Sequence, residues 1–289
     1  MQNNKAVLIH ISDIHLADES LDLPYLWKTQ GLFTKRHLGW LNYKLRRKNP
    51  NKNQITTRVI DYLHSTPWDY LVISGDLTNL ALEREFQNVS QLLKPLIKKG
   101  KTIISPGNHD RYVPIGLNGD LLAKYFPDCF PFEDKSQTDK TAAFLEINKQ
   151  TVLINLNLSV PRSMISSRGK ILTDLEKCHE VLNHIYPDHL KIVVGHYPAF
   201  LPSNQHENYR HSLANKQKLE QFLIDSKIDI YLHGHIHKTW NFKPRADQSL
   251  ICVNSGGSFQ PFNNPWSGFH RICIENKQIN IEKINLEAI

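Results

Sequence analysis

Ile228-Asp229-Ile230-Tyr231-Leu232-His233-Gly234-His235-Ile236-His237 joins a short β-branched, apolar run to a cluster of alternating histidines around a glycine. Such a run reads as a buried strand, and here it delivers polar residues at its C-terminal edge. The pattern recurs. Ala6-Val7-Leu8-Ile9-His10-Ile11 ends in Ser12-Asp13, and Tyr70-Leu71-Val72-Ile73 ends in Ser74-Gly75-Asp76. Thr102-Ile103-Ile104 ends in Pro106-Gly107-Asn108-His109-Asp110, and Ile192-Val193-Val194 ends in Gly195-His196.

Between these strands lie helix-like stretches at about Thr56 to His64, Leu82 to Lys99 before Gly100, Asp174 to Ile185 after a Thr173 N-cap, and Lys216 to Ser226. Strands alternating with helices predict an α/β sheet. The runs Thr141 to Ile147, Thr151 to Leu158, Leu250 to Asn254, Phe269 to Glu275 and Gln278 to Ile284 have fewer helices between them, which predicts a second, more antiparallel sheet. The 289 residues fit one domain, interrupted by an insertion at about Pro24 to Asn53.

Polar ends of neighbouring parallel strands converge on one crevice. It would hold Asp13, His15, Asp76, Asn108, His196, His235 and His237. Carboxylate, amide and imidazole donors without thiolate suit Mn, Zn or Fe rather than Ca or an iron–sulfur centre. Seven donors exceed what one tetrahedral ion needs, whereas two ions sharing a carboxylate would use them all. Glycines at 75, 107, 195 and 234 would let the backbone turn tightly beside the ions.

Asp13-Ile14-His15, Gly75-Asp76, Gly107-Asn108-His109-Asp110, Gly195-His196 and Gly234-His235-Ile236-His237 resemble the five ordered signature blocks of the calcineurin-like metallophosphoesterases. The resemblance implies a four-layer α/β sandwich of two mixed β-sheets flanked by helices. It also implies two divalent ions, with Mn the first choice and Fe, Zn or Mg alternatives. Asp13, His15, Asp76 and His237 would hold one, and Asp76, Asn108, His196 and His235 the other, with Asp76 shared. A hydroxide between the cations would attack a phosphodiester or pyrophosphate bond. His109 would stabilise or protonate the leaving oxygen, with Asp110 orienting its imidazole. His233 is read as a strand histidine. His206 and His211, and Arg162 and Arg168 as bidentate phosphate clamps, are outlying candidates for contacting substrate.

Composition is that of a folded protein, with 40% hydrophobic and 22% charged residues, which excludes disorder and coiled coil. No run reaches the roughly 18 apolar residues that span a bilayer. The first strand begins at Ala6, which leaves no room for a signal peptide and predicts a start at Met1. Cys129, Cys178, Cys252 and Cys273 are scattered, predicting reduced core thiols and a cytoplasmic protein.

The net charge of +7 is local. Eight cations (Lys28, Lys35, Arg36, Lys44, Arg46, Arg47, Lys48, Lys52) and no acid lie between residues 28 and 52, and the rest of the chain carries 27 cations against 28 acids. They are interleaved with Tyr25, Trp27, Phe33, Trp40 and Tyr43, while Leu38, Leu41 and Leu45 share one helical face. Such a segment could rest on an anionic membrane as a peripheral element, pack on the sheet with its lysines solvated, or bind nucleic acid, the last ranked lowest for want of a nucleic-acid module.

The insertion also resembles that of family members acting as UDP-2,3-diacylglucosamine pyrophosphatases, which implies a lipid-linked nucleotide substrate. The alternative within the family is a cyclic-nucleotide or other small phosphodiesterase. A metal-free scaffold is the remote alternative, against which stands the complete set of motif ligands.

Overall fold

The computed structural model describes residues 4–16, 18, 21–30, 34–47, 51–114, 119–129, 142–163 and 165–289, with residues 46–47 described in their backbone alone. Phe33, Lys48 and Thr141 lie outside this set.

β1 (Lys5–Ile11), β2 (Tyr70–Ile73) and β3 (Lys101–Ile104) pair in parallel, with β12 (Phe269–Glu275) and β13 (Gln278–Ile284) added antiparallel, in the order β13-β12-β1-β2-β3. The second sheet has the order β10-β11-β9-β7-β5-β4. Its parallel centre is β5 (Thr151–Leu156), β7 (Leu190–Val194), β9 (Ile230–His233) and β11 (Ile251–Ser255). Its antiparallel edges are β4 (Ala142–Asn148) and β10 (Thr239–Phe242). A two-stranded ladder joins β6 (Gly169–Lys170) to β8 (Leu213–Ala214).

The expected segregation of the later strands into an antiparallel sheet is therefore corrected. They are shared between the sheets, β4 and β13 at edges, and β5 and β11 each pair in parallel on one side. The physical reason is that periodicity fixes which face of a strand is buried, and pairing partners are settled only by packing.

The strand period of two builds the layers. In β1, Ala6 and Leu8 face Val72, Ile103, Leu153, Ile192, Val194 and Leu232 in the core shared by both sheets. Ile9 and Ile11 instead face Ile55, Val59, Phe86, Val89 and Leu93 of α3 (Lys52–Ser65) and α4 (Glu83–Lys99). On the far side, Ile154, Val193 and Tyr231 meet Leu182, Leu219 and Leu223 of α6 (Leu175–His184) and α7 (Lys216–Asp225). The result is helix, sheet, sheet, helix. Helix α6 is capped by Asp174, whose carboxylate accepts from Lys177 N, rather than by Thr173.

The inter-sheet layer also buries a polar chain. Ser255 Oγ lies 3.0 Å from His10 Nδ1 and 2.9 Å from His270 Nδ1, and His10 Nε2 lies 2.8 Å from Ser74 Oγ. These are satisfied core histidines. All four cysteines are free thiols, three of them buried. Among the described residues, no helix is long and apolar enough to cross a membrane.

The insertion comprises α1 (Leu23–Gln30), α2 (Lys35–Asn42) and a π turn at Tyr43–Arg47; a short helix α5 (Leu121–Tyr125) follows β3. It is tied down on both sides. Arg36 donates through Nε to Leu80 O at 2.9 Å and through a terminal nitrogen to Ala81 O at 2.5 Å. Lys35 Nζ donates to the carbonyls of Arg162 and Ser166, both at 3.3 Å. Trp40 Nε1 donates to Leu21 O. Leu38, Leu41 and Leu45 do not pack on the sheet; they are 47%, 48% and 73% exposed.

Candidate metal centre

The five polar strand ends come from both sheets, β1, β2 and β3 from one and β7 and β9 from the other, and meet where the C-terminal edges face each other. Asp13, His15, Asp76 and His237 each present a ligand atom within 4.8 Å of the others. Beside them, Asn108 Oδ1 lies 3.2 Å from His196 Nε2 and 3.0 Å from His235 Nδ1, and His196 Nε2 lies 3.4 Å from Asp76 Oδ2. Asp76 therefore stands between two donor groups.

The backbone is bent to achieve this. Asp13, His15, Asp76 and His235 all have left-handed φ, at 58°, 41°, 56° and 70°. Non-glycine residues hold such values only where surroundings over-determine them, as at ligand clamps. Gly75, at φ 103°, has no room for a side chain: a Cβ would stand 2.6 Å from Gly107 N and 2.7 Å from His196 Nδ1.

Backbone carbonyls set the imidazole tautomers. The Nδ1–H of His15 donates to Thr78 O at 2.9 Å, and that of His196 to Ser74 O at 2.7 Å. Each Nε2 is left facing the crevice, the position from which the neutral ring can donate its lone pair. Asp13 Oδ1 is buried and accepts no hydrogen bond among the described residues, although His237 Nε2 is 3.3 Å away. Converging lone pairs on oxygen and nitrogen, with an orphaned carboxylate oxygen among them, fit a divalent cation of borderline hardness.

The electrostatics agree. Burial alone would raise Asp13 and Asp76, but the surrounding histidines outweigh it and hold both well below the carboxylate range. Burial pushes His15 down and keeps it neutral. Burial also disfavours charge on His196, yet Asp76 and Asp13 overcome it and hold that imidazole up to about 9. Two buried carboxylates thus make a potential that demands positive charge.

The expectation that Asp110 orients the His109 ring is corrected. The Nδ1–H of His109 donates to Asn79 O at 2.6 Å. Asp110 Oδ1 instead accepts from Leu77 N, Thr78 N and Thr78 Oγ1, while Oδ2 accepts from Gly107 N. Burial, then repulsion from Asp76, pushes Asp110 up to about 7 against those backbone donors. It braces the loop that carries Asp76 and Asn79. Buried Glu85 does the same further along, accepting from the N–H groups of Asn79, Leu80 and Leu82.

Around His109, the Tyr112 ring stacks with a centroid separation of 5.4 Å, and Lys35 Nζ lies 4.2 Å from the Tyr112 centroid. His233 closes β9, buried beside Tyr231, with its Nδ1 3.1 Å from Gly234 O. His206 and His211 line the cavity, which has a volume of about 950 Å³ and also includes Lys35, Leu38, Leu41, Leu45, Ile165 and Glu207. The arginines are otherwise engaged: Arg162 Nε donates to Arg168 O, and the Arg168 guanidinium lies 3.9 Å from the Tyr209 ring centroid. Tyr112, Asp110 as a brace, and Glu207 were not legible in these roles, because no local spacing announces a contact made across loops.

A family model described as calcineurin-like phosphoesterase matches residues 6–239. A probable cyclic nucleotide phosphodiesterase of Ruthia magnifica is 25% identical over 234 residues, covering 78% of this chain and 86% of that protein. The probable purple acid phosphatase 20 of Arabidopsis thaliana is 20% identical over 68% of this chain and 48% of its own length. Among solved structures, the purple acid phosphatase PPD1 of yellow lupin matches at a TM-score of 0.60 and 13% identity, over 99% of this chain and 52% of that one. GAP50, described as the anchor in the inner membrane complex of Plasmodium, matches at 0.53 and 10%, over 98% and 85%. These structures share the fold. With the family pattern running from the first strand past the last histidine block, the chain belongs to the calcineurin-like phosphoesterases and is a phosphoester hydrolase.

Proposed function

We propose that residues 1–289 act as one domain that hydrolyses a phosphodiester or pyrophosphate bond, in a substrate whose phosphate is joined to an apolar portion. A lipid-linked nucleotide such as UDP-2,3-diacylglucosamine has this chemistry. The supporting observation is the wall of the cavity: Leu38, Leu41, Leu45 and Ile165, all substantially exposed, share one space with Asp76, Asn108, His109, His235 and His237. Such a wall gains from burying hydrocarbon.

In this reading, Asp13, His15, Asp76 and His237 hold one divalent cation, and Asp76, Asn108, His196 and His235 the second, Mn being preferred to Fe, Zn or Mg. Bound there, the pair supplies a nucleophile at neutral pH and neutralises phosphoryl charge. The chain does the rest. Thr78 O and Ser74 O hold His15 and His196 in the tautomers that leave Nε2 free. With Nδ1–H committed to Asn79 O, a second proton on His109 sits at Nε2, from which it passes to the leaving oxygen. Tyr112 stacks on that ring and restricts its tilt. The insertion, latched by Lys35 and Arg36, excludes water from one side. Its exposed Trp27 and leucines, interspersed with cations, also suit transient contact with an anionic membrane from the cytoplasmic side.

A second reading, a cyclic-nucleotide or other small phosphodiesterase, is favoured by the name of the Ruthia magnifica relative. Rates with UDP-2,3-diacylglucosamine, cyclic AMP and bis(p-nitrophenyl) phosphate, with Mn and after chelation, separate the two. The amphipathic reading expects the highest kcat/KM for the acylated nucleotide. A higher value for cyclic AMP replaces it with the second, and activity that survives chelation removes the two-cation centre from both.

A further inference from the structure

His235 has two ring nitrogens with different surroundings. Nδ1 faces Asn108 Oδ1 at 3.0 Å and His196 Nε2 at 3.3 Å. Nε2 faces the other way, 3.2 Å from Glu207 Oε1. The Glu207 side chain is 5% exposed, and neither of its oxygens has a hydrogen-bond partner among the described residues. A carboxylate is costly to bury without compensation, so its presence against one histidine calls for a reason.

Glu207 reaches this place from the loop after β7, which also lines the cavity through His206, Asn208 and His211. Buried Tyr197 covers the His235 ring at a centroid distance of 4.6 Å, which limits tilting. The freedom that remains is a half-turn about Cβ–Cγ. That turn would put a carbon in place of Nδ1 toward Asn108, and a carbon in place of Nε2 toward Glu207.

We propose that Glu207 is a positioning residue for the second cation, acting through His235. Its carboxylate, 3.2 Å from Nε2, favours the proton on that nitrogen, which selects the tautomer whose Nδ1 lone pair points at Asn108 and His196 and makes the half-turn unfavourable. A carboxylate in this position also strengthens the histidine as a donor, which a neutral acceptor does less well. The inference rests on the assignment of His235 as a cation ligand in the preceding section.

The test is Mn²⁺ binding by calorimetry and electron paramagnetic resonance on wild type, Glu207→Ala, Glu207→Gln and His235→Asn. Alongside it, long-range ¹⁵N–¹H spectra of Zn-loaded protein read the histidine tautomers. Glu207→Ala is expected to weaken one of two sites by about 10- to 100-fold, leave the other unchanged and alter the His235 nitrogen signals. Glu207→Gln, which keeps an acceptor and the shape, recovers part of the loss. Should His235→Asn weaken one site while both Glu207 variants bind as wild type with unaltered nitrogen signals, the positioning role is wrong and the ligand assignment stands. If His235→Asn leaves both affinities intact, the assignment fails and this proposal with it. Thermal midpoints of the metal-free variants report folding, and a loss of both sites with a lowered midpoint overturns the proposal in favour of a purely structural role.

Discussion

His15 Nε2 and His237 Nε2, 222 residues apart in the chain, stand 3.3 Å from each other. The Nδ1–H of His15 is committed to Thr78 O, so its Nε2 meets the other ring with a lone pair, beside the carboxylates of Asp13 and Asp76. Four donors from three loops thus face one point.

Asp76 lies within reach of both donor groups, and we predict that Asp76→Asn abolishes turnover and lowers the bound metal from two ions to one or none. Elemental analysis after gel filtration, run beside a diester assay, checks this. Retention of two ions at wild-type affinity would exclude a shared ligand at this position.

For His109→Ala the expected outcome is different: both ions stay, and kcat falls by about 10² to 10⁴. The loss should be larger on diesters with poorly acidic leaving groups, since proton delivery matters most there. Equal losses across a leaving-group series, or loss of metal, would show that His109 is not the acid.

Asp110→Asn should act on stability. The carboxylate accepts from three backbone N–H groups and the Thr78 hydroxyl, whereas an amide turns its NH₂ toward some of them. A loss of about 1–3 kcal/mol is expected, read as a lower denaturation midpoint of metal-free protein. An unchanged midpoint contradicts the bracing role.

Leu38, Leu41 and Leu45 changed together to Ser should raise KM for an acylated nucleotide by about tenfold or more, since each removes buried apolar area from the complex. Hydrolysis of bis(p-nitrophenyl) phosphate should stay within about twofold. Equal effects on both substrates would place the leucines in the fold rather than in recognition.

His270 gives a pH dependence. Burial, with lesser repulsion from Lys283 and His233, holds it down to about 3, against about 6.5 in an unfolded chain. Between those values the unfolded chain binds a proton that the folded one refuses. Its contribution is therefore complete above about pH 6.5 and is lost as pH falls toward 3. His270→Asn should flatten the dependence of unfolding free energy on pH by about 1.4 kcal/mol per unit within that window. Denaturant titrations of metal-free protein at several pH values measure it, and parallel slopes for variant and wild type would refute it.

The sequence determined the strands and their polar ends because both are local. Period-two burial is written in runs such as Ala6 to Ile11, and the spacing of His235 and His237 marks a site before any contact is known. It was silent on how the strands divide between sheets, since nothing local to β11 or β12 names a partner, yet they pair in different sheets. Tertiary structure alone gave Asp110 to the backbone of the Leu77–Thr78 loop, Asn79 to His109, and Glu207 to His235. Each of those contacts depends on which buried donor finds which acceptor once loops from different strands are packed together, a choice made by the desolvation of polar groups and invisible to any one stretch of chain.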